Sequence, residues 1–292
     1  MAKQSTDPSL SELLELSADL EVQEEDTETD REFPLLVKFS ADLPVFSAGS
    51  EEPTEYTREV LFRPAMGWED DLFRVKTKTA EARLKNISTL LSMCTVRMGS
   101  KVRPNPGADH DLENPTFFLK EWENTLSSLR MAALIRLRQA SVSDTFRFTG
   151  VCPLCKKPTP RLAYNLSNCP ETPVSISRNP KGGWEQETDL DGHKIVWAPL
   201  LSKDEHAMSA ITEKFADKQD SAILLLFVKS VDGVVPTLRT FQRFSSSQRS
   251  RLKELFQYGG IDTIVSNTCS NTECGIEYQF PLPVLSPTFF SL

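Results

Sequence analysis

An α+β fold, with a small sheet, several helices and a ribbon-like element formed by two separated cysteine knuckles around a helical insertion, is predicted by three features of the sequence. Strand-like runs open the body of the chain, helical periodicities follow them, and two cysteine pairs far apart in sequence each sit between strand-like segments. At 292 residues the chain is long enough for two modest domains or for one domain carrying insertions, so an apolar core can form without disulfides. Its composition divides it into an acidic segment at 1–32, strands and helices over 33–144, and a part over 145–292 that holds the cysteine pairs, the insertion and an apolar C-terminal tail.

The formal net charge of −8 is concentrated at one end, because residues 1–32 carry eleven acids and two bases and the rest carries 30 acids against 31 bases. A near-neutral body supplies no field for nucleic acid. The acidic segment is poor in aromatics and rich in Ser and Thr, so it is expected to be mostly disordered. Within it Leu10, Leu13, Leu14 and Leu20 fall on or near one helical stripe. Two readings stand: an amphipathic helix that folds onto a partner, or an acidic solubilising tail. No basic stretch leads into an apolar one near residue 1, so no secretory signal is expected. The longest apolar run, Ala222 to Val228, falls short of the roughly 20 residues that span a bilayer, and no membrane partner is expected. Cytoplasmic synthesis keeps thiols reduced, which makes the six cysteines metal ligands or packing residues.

The runs at 34–40 and 58–64 read as strands separated by a loop. Leu84, Ile87, Leu91 and Cys94 recur at helical spacing, which makes Cys94 a core residue and Gly99 a helix stop. Asn114 and Pro115 then look like the opening of a long helix whose buried face is Leu119, Trp122, Leu126, Leu129, Ala133 and Leu137. Strands follow at 145–151 and 160–166, with a hairpin turning at Asp191-Gly192. Ser202 with Glu205 has the spacing of a capping box ahead of Met208, Ile211 and Phe215. The run 222–228 reads equally as strand or buried helix. A last helix is expected from Ser246 to about Tyr258, with Gly259 as its stop and a strand from Asp262 onward.

The chemistry lies in the cysteines. Cys152-Pro-Leu-Cys155 and Cys269-Ser-Asn-Thr-Glu-Cys274 each follow a predicted strand, the setting of half a zinc ribbon. A tetrahedral Zn2+ with thiolates at about 2.3 Å needs two close pairs brought face to face, and tight turns preset each pair. Four cysteine ligands close the site, so one ion held by Cys152, Cys155, Cys269 and Cys274 would be structural, its binding free energy becoming folding free energy. Two other readings remain open: incidental turns with reduced thiols, or a site in which Cys169 or a histidine replaces one member of the second pair.

No phosphate-binding glycine loop, nucleophile elbow, zinc-protease helix or dinucleotide fingerprint occurs in the sequence, so no catalytic residues are assigned and no enzyme is expected. His110, His193 and His206 sit in polar or turn contexts and read as surface residues. The acids Asp204 and Glu205 are explained by a helix N-terminus. The ending, with Phe289, Phe290 and Leu292, must either pack on the chain itself or insert into a partner.

Several segments also resemble, in order, the T-even phage baseplate protein family, whose members act as hub assembly factors of contractile tails and related injection systems. They are REVLFRPAMGWEDDL, LIRLRQASVSDTFRFTGVCPLC, KIVWAPLLSKDE and SSSQRSRLKELFQYGGIDTIVSNTC, with an aromatic ending after them. The chain departs from the pattern at its stretched second cysteine pair and at Ser143, where a glycine is more usual. The resemblance implies a non-enzymatic assembly chaperone in the host cytoplasm, whose partners are baseplate hub or other tail proteins. A permanent structural component of the virion baseplate is the nearest alternative, and a zinc-ribbon nucleic-acid regulator a more distant one.

Overall fold

Alternation of buried and exposed residues makes the first sheet. In the computed structural model, which describes residues 34–66, 69, 80–104, 114–284 and 289–290, strand β1 (Leu35–Val45) buries Val37, Phe39, Ala41 and Leu43 on one face. It pairs antiparallel with β2 (Glu55–Phe62), in a register that sets Lys38 opposite Glu59, 3.1 Å apart as an ion pair. Helix α1 (Ala80–Cys94) lays Ile87, Leu91 and Cys94 into the core, as the spacing predicts, with Leu84 half-buried and Leu90 buried beside them. The chain then enters β3 (Thr95–Met98) and β4 (Lys101–Val102), completing the order β1-β2-β3-β4. Gly99 is therefore a hairpin residue and no helix stop. Its φ of +58° is the left-handed value that a tight turn needs, and a Cβ there would strike the Glu55 carboxylate.

The long helix expected from Asn114 is two helices, α2 (Leu119–Glu123) and α3 (Ser127–Ser141). Its predicted inner face is buried except for half-buried Leu119. Trp122 stacks on Phe62 at 5.8 Å, meets Phe39 edge-on at 6.4 Å and donates its indole N–H to Thr95 Oγ1 at 3.0 Å. The break between the helices comes from a crossing that local sequence does not encode. Leu126 forms an antiparallel bridge with Leu201, Ser127 N–H donates to Leu200 O, and Ser202 N–H and Oγ–H both donate to Thr125 O.

That crossing also overturns the capping box. Ser202 opens a short 3-10 turn with its hydroxyl already committed to Thr125, while helix α4 (His206–Lys214) starts four residues later without a side-chain cap. Glu205 instead pairs with Arg130, which is 1% exposed and also donates to Leu84 O and Ser88 Oγ. Burial pushes the Glu205 carboxyl up, and the Arg130 charge offsets part of that rise. Removing one member of a buried pair strands the other. Glu205→Ala is therefore expected to cost about 3–5 kcal/mol in urea denaturation; a loss below about 1 kcal/mol would show that the pair contributes little.

The second sheet has the order β10-β9-β8, from β8 (Gln186–Leu190), β9 (His193–Trp197) and β10 (Val228–Val231). Asp191 (φ +53°) and Gly192 (φ +85°) make the expected two-residue turn. The ambiguous run 222–228 is mostly helix: α5 (Gln219–Phe227) ends where β10 begins, and Phe227 O accepts the Ala198 N–H at 2.9 Å. After α6 (Leu238–Gln242) comes α7 (Ser246–Leu255), which has the reciprocal cap, Ser245 with Gln248. It ends before Gly259, whose backbone lies against the carbonyls of Thr172 and Pro173, where a side chain would collide. This close approach accompanies the pairing of β11 (Gly260–Ile261) with β7 (Glu171–Thr172).

One buried cluster runs from Val37 to Phe290 and takes side chains from the first two sheets, from the strands that follow and from the helices. Phe289 and Phe290 are inside it, so the described part of the aromatic ending packs on the chain itself. Arg138 holds it there, donating to the carbonyls of Phe289, Ser143 and Thr145 while its guanidinium lies over the Phe146 and Phe289 rings. The leucine stripe at Leu10–Leu20, His110 and Leu292 lie outside the described residues.

Candidate metal centre

Two hairpins build the site. Strands β5 (Thr145–Val151) and β6 (Pro158–Asn165) close with Val151 opposite Pro158, and β12 (Ile264–Thr268) and β13 (Glu277–Pro281) close with Thr268 opposite Glu277. Each carries one cysteine pair at its tip. In the first knuckle Cys152 N–H donates to Lys157 O at 3.2 Å, and Lys156 N–H donates to Cys152 O at 3.0 Å. In the second, Cys269 N–H donates to Ile276 O at 2.9 Å, and Asn271 O accepts from Cys274 and Gly275.

The outer bond is the same in both knuckles: the first cysteine donates to the carbonyl two residues beyond the second. The residue just after the second cysteine is left-handed in both, Lys156 at φ +57° and Gly275 at φ +54°. The stretched pair thus closes as its partner does, with the added length accommodated between Cys269 and the Asn271 turn.

The hairpins bring the sulfurs of Cys152, Cys155, Cys269 and Cys274 within 4.8 Å of one another. Two of these approaches cross between the hairpins, Cys152 to Cys274 at 3.9 Å and Cys155 to Cys269 at 3.7 Å. These separations suit a tetrahedral ion with thiolates at about 2.3 Å, so the four can hold a metal ion. Cys152 and Cys269 are buried, and Cys155 and Cys274 are partly exposed. Cys169 lies elsewhere, buried in the main core with its thiol pushed up by burial, next to Tyr164. His193 and His206 are likewise absent from the cluster. His193 stacks on Phe244 and pairs with Asp232 at 2.8 Å, and His206 Nδ1 lies 2.8 Å from Lys203 O.

As free thiols Cys152 and Cys269 are strongly unequal. Burial works against the Cys152 thiolate, but the backbone around Cys155 and Leu154 and the Cys155 and Cys269 thiols favour it, and its pKa falls to about 7. For Cys269 the Asn271 backbone favours the thiolate, yet burial and the neighbouring thiols outweigh that and push it up to about 12. A cation must displace the tightly held protons, so acid opposes metal binding.

An aromatic ladder ties the cluster to the core, a feature that sequence reading missed. Tyr278 packs on Cys152 and Cys269 and accepts a hydrogen bond from Asn267. From it ring contacts pass to Phe280 (5.8 Å), Phe148 (5.4 Å), Phe146 (5.2 Å), Phe289 (5.0 Å) and Phe290 (5.4 Å). The alternation Phe146-x-Phe148 and Tyr278-x-Phe280 was the available signal.

Away from the cluster, Asp232 is held below the usual carboxylate range, first by its hydrogen bond with His193 and then by the Lys194 N–H. A depressed carboxyl contributes stability above its unfolded pKa and loses it as pH falls through the folded value. Asp232→Asn and the parent are accordingly expected to differ in Tm at neutral pH and to converge in acid. A constant difference across the titration would contradict this.

Among the described residues no helix is long and apolar enough to cross a membrane. Compared with known proteins, the chain matches no family model, no curated protein and no solved structure.

Proposed function

We propose that this chain is a non-enzymatic assembly factor, stapled by one structural Zn2+ at Cys152, Cys155, Cys269 and Cys274, that acts on the baseplate hub of a contractile phage tail. The observation that carries the reading is the closed set of four sulfurs at the tips of two hairpins. Four thiolates around a tetrahedral ion leave no position for a substrate, so such an ion joins segments of the chain and does no chemistry of its own. Zinc suits four thiolates better than the harder divalent ions do. The baseplate role draws support from the ordered resemblance of four segments to hub assembly factors.

Native mass spectrometry tests the staple, with the loss of one zinc per chain on acid denaturation as the expected result. Disruption of the gene tests the role. Tails lacking a hub, restored by the protein supplied in trans, with no copy in purified particles, are expected of an assembly factor. Stoichiometric copies in finished particles would make it a structural component. Normal tails, or a salt-sensitive shift of nucleic acid, would overturn the reading.

A further inference from the structure

We infer that the four-cysteine centre is a redox-convertible staple, in which a two-electron oxidant of the peroxide class exchanges the metal for two crossed disulfides, Cys152–Cys274 and Cys155–Cys269. The inference rests on the proposed metal site and adds a regulation to it. Three observations converge. Two close sulfur approaches, 3.9 and 3.7 Å, join one hairpin to the other. Each crossing pair combines a partly exposed sulfur, Cys274 or Cys155, with a buried one, Cys152 or Cys269. The ladder from Tyr278 through Phe280 and Phe148 holds the hairpins against each other by contacts that do not involve the ion.

The exposed member is the one that an oxidant reaches, and the buried member resolves it. The Cys155 thiolate attacks a peroxide oxygen; an S–O bond forms, the O–O bond breaks, and the departing hydroxide is neutralised to water by a buffer proton. Cys269 then attacks the sulfenic sulfur, the S–S bond forms, and the sulfenic oxygen leaves as water after protonation. Cys274 and Cys152 follow the same course. Two peroxides accept four electrons from four thiolates, four protons enter from solvent to give four waters, and the cation leaves with its charge unchanged. A thiol reductant reverses the exchange and restores the ligands.

Cys94 and Cys169 are buried in the main core and serve as internal controls. The test uses the purified full chain, its zinc content first measured by native mass spectrometry. It is titrated with hydrogen peroxide while a colorimetric chelator reads released zinc and maleimide reads free thiols, and then a non-reducing peptide map is taken. The expected result is one zinc released and four thiols lost for two peroxides, crossed peptides 152–274 and 155–269, an unchanged far-UV circular dichroism spectrum, and recovery of zinc binding on reduction. Disulfides within a knuckle, Cys152–Cys155 or Cys269–Cys274, would overturn the crossing, as would sulfinic acids or retained zinc with oxidised Cys94 or Cys169. A chain that carries no zinc at the outset overturns the metal reading instead, and the same peptide map of the metal-free protein still decides the crossing.

Discussion

Cys152→Ser is expected to abolish stoichiometric zinc and to loosen the two hairpins while leaving the first sheet and helix α3 in place. Cys152 is fully buried, its backbone holds the first knuckle through Lys156 and Lys157, and its sulfur faces Cys274. Serine offers a ligand that is hard to deprotonate, so three thiolates would have to hold the ion. A structural zinc contributes on the order of 10 kcal/mol in small modules. Here the loss is limited by the point at which the hairpins let go of the rest. Hydrogen exchange should therefore quicken in 145–165 and 264–281, with protection retained in 35–62 and 127–141, and a chelator acting on the parent should reproduce the pattern. Full zinc content and an unchanged melting curve in the variant would refute the staple.

Phe146→Ala is expected to cost about 3–5 kcal/mol, the range for removing a buried aromatic from a packed core. Its ring is fully buried, contacts Phe148 and Phe289 at 5.2 and 5.0 Å, and lies under the Arg138 guanidinium. The substitution removes the rung that joins the ribbon to the C-terminal aromatics. Because those contacts hold the hairpin that carries Cys152 and Cys155, the variant should also release zinc to a competing chelator more readily. Chemical denaturation and chelator competition measure the two effects separately. A stability loss below about 1 kcal/mol would mean that the cavity collapses without penalty.

What the sequence discloses follows the range of the interactions involved. The strand-like run at 34–40, helical spacing at Leu84–Cys94, the Asp191-Gly192 turn and a helix from Ser246 were all legible, because each is set within a few residues, whereas the extension of β1 to Val45 was read as loop. The cysteine cluster was legible because thiol pairs at turns have few other uses in a reduced chain. Failures occur where distant segments override local preference. Helix α2 breaks from α3 because residues 200–202 take the Thr125 carbonyl and the Ser127 N–H between them, and Ser202 and Glu205, which look like a capping box, are committed to Thr125 and Arg130. Gly99 misled for a related reason: glycine marks a left-handed residue without saying whether a helix or a hairpin precedes it. The aromatic ladder stayed hidden because its rungs come from three separate stretches, 146–148, 278–280 and 289–290.

The separation of the two knuckles places a clock on biosynthesis. Cys155 and Cys269 are 114 positions apart. At a synthesis rate of about 5–20 residues per second, the first knuckle leaves the ribosome roughly 6–23 s before its counterpart exists. During that interval Cys152 and Cys155 are a two-thiol site able to bind a metal only weakly, and strand β5 lacks the opposite hairpin that covers its aromatic face. Closure of the ribbon therefore waits until the second knuckle has emerged, and the four-thiol set exists only from that point in synthesis.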